Sequence, residues 1–149
     1  FLQREIENSR RYDRPFTIAL ADIDHFNRVN DSHSHAIGDK VLCRVAEILT
    51  NRCRKTDVVA RYGGEEFLLC FPDTNSAFAE QVCSQIRTAN EQTDWSDIGL
   101  GIRLTISFGI AEVGNDSRPT TLLNDADMRL YQAKHKGRNR IVSLPGGKL

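Results

Sequence analysis

Three carboxylates in this sequence stand where ordinary surface acids seldom do. Asp22 ends an apolar run, and Glu65 and Glu66 directly follow a Gly-Gly pair. The run before Asp22, Phe16 to Ala21, is apolar on both faces, as in a buried central strand. A carboxylate at the end of such a strand costs free energy unless something pairs with it, and the carboxyl ends of core strands are where ligand sites of α/β sheets form. The other two acids belong to Arg61-Tyr62-Gly63-Gly64-Glu65-Glu66-Phe67, between the apolar runs Val58-Val59-Ala60 and Phe67 to Phe71. Gly-Gly between strand-like runs signals a β-hairpin, because primed turns need positive φ and glycine supplies it without a steric penalty. Adjacent like charges repel, so such a pair sits in solvent or holds a cation. Bare backbone beside two acids suits a metal-bound phosphate; an exposed hairpin with acidic edge residues explains the same four letters equally well. Asp24 precedes a short helical run, His25 to Asn30, and is expected to be its N-cap.

The elements that must position these residues follow from periodicity. Phe1 to Arg11 reads as the body of a helix that starts without a cap, so the chain is expected to be cut from something longer. Asp31 to Gly38 is polar and turn-rich, a loop. Asp39 to Asn51 repeats Val41, Leu42, Val45, Ile48 and Leu49 as an amphipathic helix. After the hairpin comes a helix with Phe78, Val82, Ile86 and Ala89 on one face, then a loop from Glu91 to Gly101. Leu104, Ile106, Phe108 and Ile110 alternate as a strand with one face more deeply buried. Pro119 opens a last helix with Leu122, Ala126, Leu130 and Ala133 inward, and Gly137 closes it. Asn139 to Leu144 is a short final strand, and 145–149 a loose tail. The order helix–strand–helix–helix–hairpin–helix–strand–helix–strand describes an α/β (α+β) fold with an antiparallel pair in a mixed central β-sheet, surrounded by helices.

With 149 residues the chain is expected to form one domain, 1–144, with its own core. A formal net charge of zero argues against a broad nucleic-acid-binding surface, so no nucleic acid polymer is expected as partner. No stretch approaches the roughly 20 apolar residues of a membrane span. The four cysteines have no metal-ligand spacing, and Cys43, Cys70 and Cys83 read as reduced core residues, which points to a cytoplasmic setting.

Asp22-Ile23-Asp24-His25-Phe26, Asn30-Asp31, Gly38-Asp39, Arg61 to Phe67, and Ala133-Lys134 through Gly137-Arg138-Asn139 together resemble the GGDEF (diguanylate cyclase) domain of bacteria, in its GGEEF variant. The resemblance covers nearly the whole chain in the right order. It implies a fold similar to polymerase palms and class III nucleotide cyclases, and condensation of two GTP into cyclic di-GMP with release of pyrophosphate. Asp22, the carbonyl of Ile23, Glu65 and Glu66 would then hold magnesium (or manganese), with Glu65 the proton acceptor. Asn30 and Asp39 would read guanine, and adenine would leave Asp39 unpaired. His35 matches a nucleotide-contacting position, and Gly63 and Gly64 leave room for the nucleotide. Lys134 and Arg138 would reach the β- and γ-phosphates with the backbone N–H groups of His25 and Phe26. Without the resemblance, Asp39 is an acid near a helix start, and Lys134 and Arg138 are cations near a helix end.

Arg54-Lys55-Thr56-Asp57 matches the family's inhibitory R-x-x-D site, where cyclic di-GMP would bind through Arg54 and Asp57 and arrest the enzyme. The chain also departs from the family. Asn27 stands where a lysine usually stabilises the transferred phosphate, so turnover is expected to fall. Ser34 and His33 replace a glycine and an aromatic. The family's opening segment is missing before Phe1; in full-length relatives it connects to a sensor, through which the parent could be anchored to a membrane. The resemblance further implies a homodimer, because one domain binds one GTP and the product needs two. The competing expectation is a cyclic di-GMP or GTP receptor with little or no turnover.

Overall fold

The computed structural model describes residues 1–143, so Leu144 and the expected tail lie outside the described residues. The elements run α1 (Leu2–Tyr12), β1 (Phe16–Ile23), α2 (Phe26–Ser32), α3 (His35–Asn51), β2 (Val58–Arg61), β3 (Glu66–Pro72), α4 (Ser76–Glu91), β4 (Ile106–Glu112), α5 (Pro119–His135) and β5 (Ile141–Val142). This is the order read from periodicity. The strands form one mixed sheet in the order β2-β3-β1-β4-β5. β1 lies at its centre, antiparallel to both β3 and β4, and every one of its residues is buried. β5 alone runs parallel to its neighbour, β4.

Strand alternation sends the two halves of β1 into two cores. Ala19, Ala21 and Ile23 pack with α3 and α4 on one face, while Phe16, Ile18 and Leu20 pack with α1 and α5 on the other. Asp22 continues the second series and therefore faces α5. Glu66 and Ser107, its register partners on β3 and β4, share that face. α5 reaches the sheet unusually closely at Gly109, where an added Cβ would overlap the backbone of Ala126 and Leu130. The missing side chain at Gly109 thus brings the last turn of α5, with Lys134, down onto the end of β1.

Several expectations need correction. The polar stretch 31–38 is not a loop: α2 continues to Ser32, and α3 starts at His35 because the Ser34 side chain caps it, accepting from the Ile37 N–H at 3.2 Å. In α4 the buried face is Ala79, Cys83, Ile86 and Asn90, and Phe78 is exposed. β4 begins only at Ile106, and six of its seven residues are buried, since helices cover both faces of the sheet. Cys43 is exposed on α3; Cys70 and Cys83 are buried as expected. Among the described residues no helix is long and apolar enough to cross a membrane.

Candidate active site

The hairpin is built differently from a two-residue turn. Four residues separate β2 from β3, and neither Gly63 nor Gly64 has the positive φ that a primed turn requires. The loop is instead closed by the Tyr62 and Gly63 N–H groups on the Glu66 carbonyl (2.8 and 3.3 Å), and by the Arg61 guanidinium on the Gly63 and Gly64 carbonyls. A Cβ on Gly64 would meet nothing within 4 Å, so that position faces open space, whereas one on Gly63 would lie 3.3 Å from Glu66 Oε1. The carbonyl of Glu65 accepts from the Ile23 N–H at 3.3 Å, which fastens the loop to the end of β1.

Asp22, Glu65 and Glu66 therefore converge, with one cation among them. Lys134 Nζ lies 3.2 Å from Asp22 Oδ1 and 3.6 Å from Asp24 Oδ1. Asp22 is 7% exposed. Burial is the main reason its pKa rises to about 6; Lys134 pulls it down and Glu66 pushes it up. Burial, then Asp22, also raises Glu65, against the pull of Lys134. This site has more carboxylate than cation, and Asp22 Oδ1 is buried without a hydrogen bond of good geometry. The donor set fits a hard divalent ion. Among the described residues no group of three or more Asp, Glu, His or Cys side chains is already close enough to hold a metal ion.

Asp24 is not the N-cap of α2. The cap position is His25, in the left-handed conformation (φ 57°) and without a side-chain cap bond. Asp24 is 2% exposed and turns inward. Its carboxylate accepts from Thr105 Oγ1 (2.6 Å), Ser107 Oγ (2.7 Å) and the Asn139 N–H (3.0 Å). Sequence reasoning missed this because the donors lie more than 80 positions away; the available signal was a second acid two residues after Asp22, on the same strand face. Desolvation lowers the His25 pKa, and the nearby Arg28, Arg138 and Lys134 lower it further against the opposing pull of Asp24. Arg138 sits in the left-handed turn after α5, and its Nε is buried without a partner.

The guanine-reading candidates also come together. A Cβ on Gly38 would overlap Asn30 Oδ1, so this glycine lets α2 and α3 approach and sets Asn30 beside the residue preceding Asp39. Asp39 and His35 are exposed on the first turns of α3, and Asn27 is exposed on α2. Arg54 and Asp57 lie elsewhere. Arg54 Nη2 bonds Asp57 Oδ1 (3.2 Å), the Pro72 carbonyl (2.7 Å) and Thr74 Oγ1 (2.7 Å). Pro72 pairs with Phe16 at one end of β1, and Glu66 with Asp22 at the other. At about 3.3 Å per strand residue, the two sites are about 20 Å apart.

Comparison with known proteins agrees with this fold. Diguanylate cyclase A of Treponema denticola is 36% identical over 138 residues, which cover 92% of this chain and 37% of that protein. The response regulator PleD of Caulobacter vibrioides is 39% identical over 132 residues, covering 86% and 29%. The chain thus spans about a third of the curated relatives it matches. Among solved structures, the active GGEEF domain of a diguanylate cyclase from Vibrio cholerae superposes with a TM-score of 0.91 at 25% identity, covering 98% of this chain and 93% of that one. The GGDEF domain of DgcB from Caulobacter crescentus, solved in complex with c-di-GMP, gives 0.89 at 30% identity, covering 95% and 85%. The family described as diguanylate cyclase, GGDEF domain, matches residues 1–140, and this chain belongs to it.

Proposed function

We propose that this domain is a diguanylate cyclase, condensing two GTP into cyclic di-GMP and pyrophosphate. The observation that carries the reading is the convergence of Asp22, Glu65 and Glu66 at one end of the sheet with Lys134 among them. Asp22, the Ile23 carbonyl, Glu65 and Glu66 would hold Mg²⁺ or Mn²⁺, which when bound polarises the α-phosphate and lowers the pKa of the attacking 3′-hydroxyl. Asn30 and Asp39 would orient guanine, with His35 alongside. Lys134, Arg138 and the backbone N–H groups of His25 and Phe26 would take the β- and γ-phosphates, drawing Lys134 away from Asp22. Glu65, its pKa raised by burial and by Asp22, would accept the 3′-hydroxyl proton while the 3′-oxygen bonds to phosphorus and pyrophosphate leaves. Two such events, one in each of two facing subunits, close the ring. Product binding at Arg54 and Asp57, on the far end of the sheet, would inhibit without occupying the substrate site. The test is chromatography of GTP incubated with the domain and Mg²⁺, in which cyclic di-GMP must appear.

A second reading is favoured by Asn27, exposed and uncharged where the family carries a lysine: a cyclic di-GMP receptor with negligible turnover. Tight product binding that is lost in Arg54→Ala, in a parent protein yielding no product, would select it.

A further inference from the structure

The carboxylate of Asp24 is almost wholly out of solvent and accepts from two hydroxyls and a backbone N–H, with the Lys134 ammonium 3.6 Å from Oδ1. It holds the turn that follows α5. Arg138 (φ 64°) and Asn139 (φ 49°) are successive non-glycine residues in the left-handed region. That conformation is costly and persists only where surrounding contacts enforce it. The Asn139 N–H is bound at 3.0 Å to Asp24 Oδ2 and at 3.1 Å to Ser107 Oγ, and Ser107 Oγ itself donates to Asp24. The same carboxylate lies 3.6 Å from Lys134 Nζ.

We propose that Asp24 is a positioning residue for the triphosphate-facing cations: its carboxylate fixes the strained Arg138-Asn139 turn and the Lys134 ammonium, and it touches no substrate atom. This rests on the cyclase reading of the same site. Asp24 would thereby set affinity for the β- and γ-phosphates while leaving guanine recognition by Asn30 and Asp39 untouched. The two possible effects of its removal have opposite signs. Deleting a negative charge beside an anion site tightens anion binding by Coulomb's law alone, whereas releasing the turn weakens it.

The test is calorimetry with two ligands, GMP and a GTP analogue bearing a methylene bridge between the α- and β-phosphates, each with Mg²⁺. In Asp24→Ala the analogue should bind about tenfold or more weakly, as expected for loss of a charge-assisted hydrogen bond, while GMP affinity stays near that of the parent. Asp24→Asn, whose amide oxygen can still accept from Asn139 but which has no charge to hold Lys134, should bind the analogue more tightly than Asp24→Ala and less tightly than the parent. Should Asp24→Ala fail to fold, Ser107→Ala serves instead, with a smaller loss confined to the analogue. Analogue binding that is unchanged or tighter, or an equal loss for both ligands, overturns the assignment alone. A parent that binds neither ligand overturns the cyclase reading and this assignment with it.

Discussion

The Lys134 ammonium lies 3.2 Å from Asp22 Oδ1, yet the Asp22 pKa stands near 6, above its ordinary value. Burial outweighs the ion pair, so the folded protein holds a proton on Asp22 more tightly than the unfolded chain does. Asp22 therefore contributes stability that is complete below about pH 4 and is lost as pH rises to about 6. Metal-free Asp22→Asn should consequently be more stable than the parent at pH 8, by on the order of 1–3 kcal/mol, and nearly equal to it at pH 4. Thermal melts at the two pH values check this. A variant less stable than the parent at pH 8 would show that the ion pair dominates. Mg²⁺ should raise the melting temperature of the parent more at pH 8 than at pH 5, and that of Asp22→Asn little at either.

Gly109→Val should destabilise the fold by about 3 kcal/mol or more, because its side chain would meet the backbone of α5 rather than a movable side chain. Denaturant unfolding measures the loss. A change below about 1 kcal/mol would mean that α5 can lift from β4 freely, and the seating of Lys134 would then need another cause.

Gly38→Ala tests the approach of α2 to α3. The new methyl group displaces Asn30, so GTP binding should weaken by about tenfold and discrimination against ATP should shrink. Competition binding with the two nucleotides reports both. Full retention of the GTP preference would place guanine recognition away from Asn30.

Arg54→Ala should have two separable effects. The contacts of Nη2 with Asp57, Pro72 and Thr74, which share its two hydrogens, disappear, with a stability loss of about 1–2 kcal/mol. Inhibition by cyclic di-GMP should disappear as well. Product that binds through Nη2 would compete with these contacts, whereas Nη1 and Nε make no hydrogen bond within the described residues. Persistence of inhibition in the variant would move the product site elsewhere.

Asn27→Lys places a cation where the resemblance to the family leads one to expect it. Turnover should rise by about tenfold or more if that charge stabilises the transferred phosphate, with melting temperature unchanged because position 27 is exposed. An unaltered rate would show that Asn27 carries no penalty.

Local signals were legible where one element decides the outcome. The inward series Leu122, Ala126, Leu130 and Ala133 of α5 follows directly from spacing, and all four are buried. The order of elements followed in the same way. Asp22 was legible because a charge ending a buried strand is conspicuous. The role of Asp24 was not, because it depends on Thr105, Ser107 and Asn139, which only sheet register brings near. The Gly-Gly turn misled for a related reason: its conformation is set by the reach of Arg61 to two carbonyls and not by local φ preference. The extent of α2 was hidden because polar residues on a solvent-facing helix look like a loop.

The most direct test compares the parent with Glu65→Ala in GTP and Mg²⁺ over a range of protein concentrations. The expected result is cyclic di-GMP from the parent, at a rate per molecule that rises with concentration as two domains meet, and none from Glu65→Ala. Absence of product from the parent at high concentration, or equal product from both proteins, would contradict a cyclase built on Asp22, Glu65 and Glu66.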